Sequence, residues 1–127
     1  MDTLIGQIGT VTHSVTTKDT SKTVKSGTLD VLATPGLSAL MEEAAVKTIA
    51  AFLPPDETTV GGYIALTHKA PTKVGDRVTV IATVTKVDGR KIHYHITAKD
   101  TQKDIGEAEH TRSVSYTHLT LPTTPYV

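Results

Sequence analysis

The chain carries three residue types used in acyl transfer, at intervals that one fold could bring together. Glu42 lies inside a mostly apolar stretch from Leu37 to Val46, and Thr34 precedes it by eight residues. Further on, a strand-like segment ends at His68. A hydroxyl, a carboxylate and an imidazole are the groups from which proteins build nucleophiles and general bases. These three residues are therefore the first candidates for a catalytic site.

Each candidate also has a structural interpretation. Glu42 has no basic residue among its helical neighbours, whereas Glu43 has Lys47 four residues on. Glu42 is therefore expected either to reach water at the helix rim or to be a buried carboxylate with a raised pKa or a specific hydrogen-bond partner. Thr34 is placed to cap a helix, a role compatible with chemistry because helix N-termini favour developing negative charge. His68 is either a satisfied core histidine or a general base.

Two further features are candidates for contacts with a substrate. Gly61-Gly62 near the start of a strand indicates either a β-bulge or a backbone N–H that can approach a carbonyl oxygen. Arg112 shares a predicted strand face with His110, and it is either a surface arginine or a ligand for a phosphate. Both interpretations of each feature stay open at this level.

Composition narrows the class of protein. The chain has 127 residues, which suits one domain with one core. Formal net charge is zero, with 13 basic and 13 acidic residues, so we expect neither nucleic acid nor an acidic membrane surface as partner. There are no cysteines, which excludes disulfides and thiolate catalysis. His93 and His95 share a strand face without a third ligand of matching spacing, so we expect a solvated face and no metal.

No segment indicates export, membrane insertion or a nucleotide cofactor. The N-terminus lacks the charged and apolar regions of a signal peptide, and no apolar run is long enough to cross a bilayer. No glycine-rich loop of the dinucleotide or P-loop type is present. We therefore expect a cytoplasmic protein that uses no cofactor.

The elements that must position the candidates follow from hydrophobic periodicity. A helix is predicted from Thr34 to about Phe52, before Pro54-Pro55. Strands are predicted for Leu4 to Val15, Val60 to Lys69, Arg77 to Val87, Lys91 to Lys99 and Ile105 to Val114. Asp88-Gly89 is a strong hairpin signal. One helix wrapped by a mainly antiparallel sheet of about five strands is an α+β arrangement, the hotdog fold.

A lone hotdog domain leaves sheet edge exposed, so we expect a homodimer or a dimer of dimers. The domain is expected to span residues 1–114. Residues 115–127 have no clear period and resemble translated non-native sequence, so we expect a non-native or unstructured tail that replaces the natural C-terminus.

Together these residues resemble the hotdog thioesterases related to fluoroacetyl-CoA thioesterase, over residues 8 to 114. The matching segments are Ala33 to Glu42, Gly61, Thr67-His68, Gly75-Asp76, Ile105-Gly106 and His110-Thr111-Arg112. The resemblance implies that Thr34, Glu42 and His68 are catalytic and that Gly61 offers its N–H to the thioester oxygen. It also implies hydrolysis of an acyl-CoA, either through attack by the carboxylate or by water activated directly.

The fluoroacetyl-selective pattern of that family has phenylalanines in the loop before the threonine. Residues 16–33 contain no aromatic residue, which favours a general short-chain acyl-CoA thioesterase. A non-catalytic acyl-CoA binding or sensing module is the alternative. An enoyl-CoA hydratase is disfavoured, because hydratases of this fold carry an Asp followed five residues later by His, and residues 30–50 have no such pair.

Overall fold

One long helix lies against a curled five-stranded sheet in the computed structural model, which describes residues 2–117. The helix α1 spans Thr34–Ile49, and the strands are β1 Ile8–Ser14, β2 Glu57–His68, β3 Arg77–Asp88, β4 Lys91–Lys99 and β5 Asp104–Tyr116. The strand order is β1-β3-β4-β5-β2, with every neighbouring pair antiparallel. This arrangement confirms the hotdog fold.

The core forms where the concave face of the sheet meets the helix. Alternate residues of β3 and β4 are buried, as their period-2 patterns predict. The helix contributes one apolar side, and its opposite side stays exposed. The core side chains of these elements are Leu37, Met41, Ala44, Ala45, Ile49, Val78, Val80, Ala82, Val84, Ile92, Tyr94 and Ile96.

Gly9 sets how closely α1 approaches the sheet. A Cβ placed on Gly9 would overlap the carbonyl oxygen of Ala44 and lie 2.8 Å from the backbone nitrogen of Thr48. Only a glycine lets the helix backbone lie directly on β1. The close approach fixes the height of α1 above the sheet, and so the height of every side chain that α1 presents to the site.

The predicted hairpin between β3 and β4 is confirmed. Asp88 pairs with Lys91, so Gly89 and Arg90 form a two-residue loop. Gly89 has a φ of +61° at the first loop position, where a tight hairpin turn favours glycine.

Several element boundaries differ from the predictions. Strand β2 begins at Glu57, three residues before the predicted start at Val60. The α-helix ends at Ile49, and a short 3₁₀ segment continues over Ala50–Phe52. The first strand begins later than predicted, after a 3₁₀ turn at Asp2–Leu4. Strand β5 continues to Tyr116, so the first two residues of the expected tail are strand; residues 118–127 of that tail lie outside the described residues. Across residues 2–117, no helix has both the length and the apolarity to cross a bilayer.

Candidate active site

Thr34 and His68 meet at the N-terminus of α1. The Thr34 hydroxyl lies 2.8 Å from Nδ1 of His68, across the gap between the helix start and the end of β2. The prediction that Thr34 caps the helix is wrong. Ala33 occupies the N-cap position, and Thr34 is the first helical residue. The helix begins one residue earlier than predicted because the Leu37 N–H donates to the Ala33 carbonyl and Pro35 lies within the first turn. The hydroxyl is therefore free to bond the imidazole.

His68 is held on the helix-facing side of β2. It alternates with exposed residues, as do Ile64 and Leu66, which pack against the core. Burial lowers the pKa of His68, and the nearby backbone of Ala70 partly opposes this shift. Its Nε2 is buried and finds no hydrogen-bond partner among the described residues. A neutral imidazole with one nitrogen on a hydroxyl and the other uncommitted is suited to proton transfer.

A cavity of about 390 Å³ opens at this pair. The loop before α1 forms one wall and the segment after β2 forms the other. Among the described residues, the lining includes apolar side chains and hydroxyls but no Phe, Tyr or Trp: Ser21, Ser26, Thr28, Leu29, Val31, Leu32, Thr34, His68, Lys69, Ala70 and Pro71. The space is within the size range of small-molecule sites.

A hydrogen-bond relay fixes the chain just before Thr34. The Leu32 N–H donates to the Thr72 carbonyl at 2.8 Å, and the buried Thr72 hydroxyl donates to the Asp100 carboxylate at 3.1 Å. Burial alone would raise the pKa of Asp100. Hydrogen bonds from Lys103, two backbone N–H groups and Thr72 outweigh it and bring the pKa to about 2. Asp100 therefore stays charged and, through Thr72, holds the backbone at Leu32 just before the helix.

Glu42 lies about two helical turns beyond Thr34 on α1, and its partner, Arg112, lies on strand β5. Its side chain is 43% exposed, and Oε1 lies 3.5 Å from Nη1 of Arg112. Neither sequence-based interpretation describes it fully, because the carboxylate reaches the surface and also has a basic partner. Helical neighbours could not reveal that partner, since Arg112 is 70 residues away in the chain.

Arg112 is not the surface arginine that one interpretation expected. Its side chain is 9% exposed. The guanidinium donates from Nε to the Thr59 hydroxyl at 2.9 Å and from Nη2 to the Thr59 carbonyl at 3.0 Å. It also lies 3.2 Å from Nε2 of His110. Arg112 is thus an internal cation fixed beside Glu42.

Gly61-Gly62 forms the bulge that one interpretation predicted. The pairing of β2 with β5 shifts register between Gly61 and Tyr63. A Cβ on Gly61 would lie 2.9 Å from Oε1 of Glu42 and 3.2 Å from Nη1 of Arg112. One on Gly62 would meet no other atom of the described residues within 4 Å. Glu42 therefore occupies the space that a side chain at position 61 would need.

The candidates form two groups within one chain. Thr34 and His68 share the cavity, while Glu42, Gly61 and Arg112 form a second cluster further along the helix. Eight residues of α-helix separate the backbone of Thr34 from that of Glu42 by about 12 Å. A single chain thus brings together two of the three predicted catalytic residues, Thr34 and His68.

Sequence reasoning gave too little weight to His110 and missed Thr59. Both are buried, and both contact Arg112. The signal available was strand parity, because His110 and Arg112 alternate on β5 with the same phase as Ala108 and Val114. His93 and His95 lie half-buried on the other face, where His95 contacts Glu109 at 2.7 Å. The described residues contain no group of three or more His, Asp or Glu that could hold a metal.

A sheet curled round one helix, with a hydroxyl–imidazole pair at the helix start, defines a hotdog protein of the thioesterase superfamily. A hypothetical protein of Thermus thermophilus that belongs to that superfamily superimposes with a TM-score of 0.82 at 26% identity, over 88% of this chain and 83% of that one. A mutant of the fluoroacetyl-CoA-specific thioesterase FlK, in complex with fluoroacetate and CoA, superimposes with a TM-score of 0.84 at 31% identity, covering 89% and 95% of the two chains.

The sequence places the chain within a particular family. The family model described as fluoroacetyl-CoA-specific thioesterase matches residues 15–117. The fluoroacetyl-CoA thioesterase of Streptantibioticus cattleyicolor is 39% identical over 85 residues, which are 67% of this chain and 61% of that protein. The chain therefore belongs to the fluoroacetyl-CoA-specific thioesterase (FlK) family. The match spans about three fifths of the length of this curated relative.

Proposed function

We propose that this protein is an acyl-CoA thioesterase that hydrolyses a short-chain acyl-CoA to the free acid and CoA. The observation that carries the proposal is the 2.8 Å contact between the Thr34 hydroxyl and His68 Nδ1 at the cavity. Family membership supports the same activity, since the matching family model and the curated relative are described as thioesterases. The substrate binds as the CoA thioester, without a metal or other cofactor.

The cavity supports the proposal of short-chain substrates. Its volume suits a small acyl group, and its lining has no phenylalanine to form a closed apolar lid. The Leu29 side chain on the loop is exposed rather than packed over the pocket. We therefore expect acetyl-CoA and propionyl-CoA to be hydrolysed with similar kcat/KM, without marked selectivity for fluoroacetyl-CoA.

We assign catalysis to Thr34, Glu42 and His68, and thioester contacts to Gly61, Gly62 and Arg112. His68 withdraws a proton, from water or from a hydroxyl, because burial keeps its imidazole neutral. Glu42 acts as nucleophile or as a second base. The helix N-terminus beside Thr34 favours negative charge that develops on the thioester oxygen.

Since one protomer separates the two clusters, we propose that a homodimer completes the site. Within residues 2–117, strand β2 pairs along one edge only, with β5, and the exposed side chains of Val60 and Tyr63 lie on this strand. The other edge of such a strand favours pairing with a second copy about a two-fold axis. A two-fold axis close to Ala65 would place the Gly61-Gly62 bulge of one protomer opposite His68 of the other. Ala65 is three positions from Gly62 and three positions from His68 along the strand. The Glu42 carboxylate beside Gly61 then reaches the Thr34–His68 pair of the partner.

A thiol-release assay on a panel of acyl-CoAs tests the function. We expect hydrolysis by the parent chain, and loss of at least about 100-fold in kcat for Glu42→Ala and His68→Ala. No hydrolysis of any acyl-CoA refutes the activity and favours the non-catalytic binding module, which isothermal titration with CoA would then detect. Hydration of crotonyl-CoA without thiol release would instead indicate an enoyl-CoA hydratase.

Cross-linking tests the dimer, because the natural absence of cysteine leaves a clean background. Ala65→Cys is expected to form an inter-chain disulfide under mild oxidation, since the two copies of residue 65 face each other at the axis. Thr67→Cys is the matched control on the same strand face, and its two copies would be about 13 Å apart. A monomer in light scattering, or equal cross-linking of the two variants, contradicts this assembly.

A further inference from the structure

His110 makes two hydrogen bonds that together fix its protonation state. Its Nδ1 lies 2.6 Å from the carbonyl oxygen of Tyr63, which only accepts, so Nδ1 must carry a proton. Its Nε2 lies 3.2 Å from Nη1 of Arg112, which only donates, so Nε2 must present a lone pair. Both bonds are satisfied by one form alone, the neutral ring protonated on Nδ1.

The neutral ring joins the two strands that frame the second cluster. Through Nδ1 it holds the backbone of β2 just after the Gly61-Gly62 bulge, and through Nε2 it orients the guanidinium on β5. The same Nη1 of Arg112 also faces the Glu42 carboxylate at 3.5 Å. The bond at Nε2 therefore restricts where Nη1 points, and with it where the carboxylate rests.

We propose that His110 is a positioning residue, whose neutral Nδ1-protonated ring orients Arg112 and thereby holds Glu42 in place for hydrolysis. The proposal rests on the thioesterase function proposed above. His110 itself touches no reacting atom in this scheme. Its contribution is to keep a cation and a carboxylate in one fixed geometry, which catalysis requires of groups that act on a bound thioester.

A second proton on His110 would break this arrangement. The imidazolium would turn Nε2–H toward Arg112, so that two donors and two positive charges would meet. The groups that face the ring are Arg112 on β5, the Glu42 carboxylate on α1, the Tyr63 carbonyl on β2 and the Tyr94 ring on β4, stacked at 5.8 Å. Burial lowers the pKa of His110, the Tyr63 hydrogen bond and Glu42 oppose this, and Arg112 adds to it. The working form thus persists below the ordinary histidine pKa.

Two neutral substitutions separate the two bonds of His110. His110→Gln keeps an acceptor near the Nε2 position but loses the donor to Tyr63, whereas His110→Asn keeps a donor near Nδ1 but loses the acceptor for Arg112. If the Arg112 contact is what matters, His110→Asn loses about ten-fold or more in kcat, and His110→Gln loses clearly less. Equal kcat losses, or losses that follow the melting temperatures of the two variants, would overturn the proposal.

A measurement on the unmodified chain tests the proposal independently of activity. Correlation of side-chain nitrogen and proton signals shows which ring nitrogen of each histidine is protonated, and the His110→Asn spectrum assigns the signal. We expect a proton on Nδ1 and none on Nε2 at neutral pH; a proton on Nε2 refutes the arrangement. If the parent chain hydrolyses no acyl-CoA, the proposed function fails, and the spectrum still decides the state of His110.

Discussion

The contact between Gly61 and Glu42 gives a sharp test of the carboxylate's role. A methyl group at position 61 would lie 2.9 Å from Oε1 of Glu42, which is closer than a Cβ atom ordinarily approaches another heavy atom. The carboxylate is the end of a flexible, partly exposed side chain, so it can retreat by about half an ångström at little cost in folding free energy. Gly61→Ala should therefore leave the fold intact and displace the Glu42 carboxylate.

The expected loss follows from the displacement. Misplacement of a reacting group by about 1 Å can cost about 100-fold in rate, so half of that predicts a fall in kcat of about ten-fold for Gly61→Ala. The free energy of unfolding should change by less than about 1 kcal/mol. Thiol release at saturating acetyl-CoA measures kcat, and thermal unfolding measures stability.

Gly62→Ala is the matched control. Its methyl group meets no other atom within 4 Å in the part of the chain that the structure describes, and both variants keep the backbone N–H at their position. Its loss in kcat should be much the smaller of the two. If the two variants lose activity equally, the position of the Glu42 carboxylate does not govern the reaction, and the backbone of the bulge would explain both effects.

The remaining predictions concern stability. The folded-state pKa values of His68 and His110 are lowered, so the unfolded chain binds more protons than the folded chain below about pH 6.5. The free energy of unfolding should therefore fall as pH decreases from there. Urea melts at about pH 7.5 and 5.5 measure this change, and a flat profile contradicts it. Asp100→Asn should cost about 1–2 kcal/mol at pH 7. This difference should shrink as pH falls from about 4 toward 2, where protonation of the wild-type carboxyl sets in; melts of both proteins across that range test it. Gly9→Ala should lower stability by about 2 kcal/mol or more, because its Cβ meets helix backbone that cannot move away, and a melting temperature equal to that of the parent would refute this packing.

Local pattern was sufficient for most of the fold. Alternation along Arg77 to Val87 and Lys91 to Lys99 gave the two central strands and their buried faces, and Asp88-Gly89 gave the hairpin. These features depend on neighbours in sequence, so a short window contains their cause. The strand order β1-β3-β4-β5-β2 does not depend on neighbours in sequence, because β2 lies at the edge of the sheet and pairs with the last strand, β5.

For the site, the sequence by itself determined which residue types were available and which of them lacked a local explanation. Glu42 stood out because no helical neighbour could pair with it, and that absence is a property of residues three and four positions away. Tertiary structure alone decided its actual partner, the burial of Arg112 and the contact of His110 with the Tyr63 carbonyl, since these contacts join residues 47 to 70 positions apart. It also decided that Thr34 bonds His68 instead of capping α1, because the exact start of a helix depends on backbone hydrogen bonds that side-chain preferences only approximate.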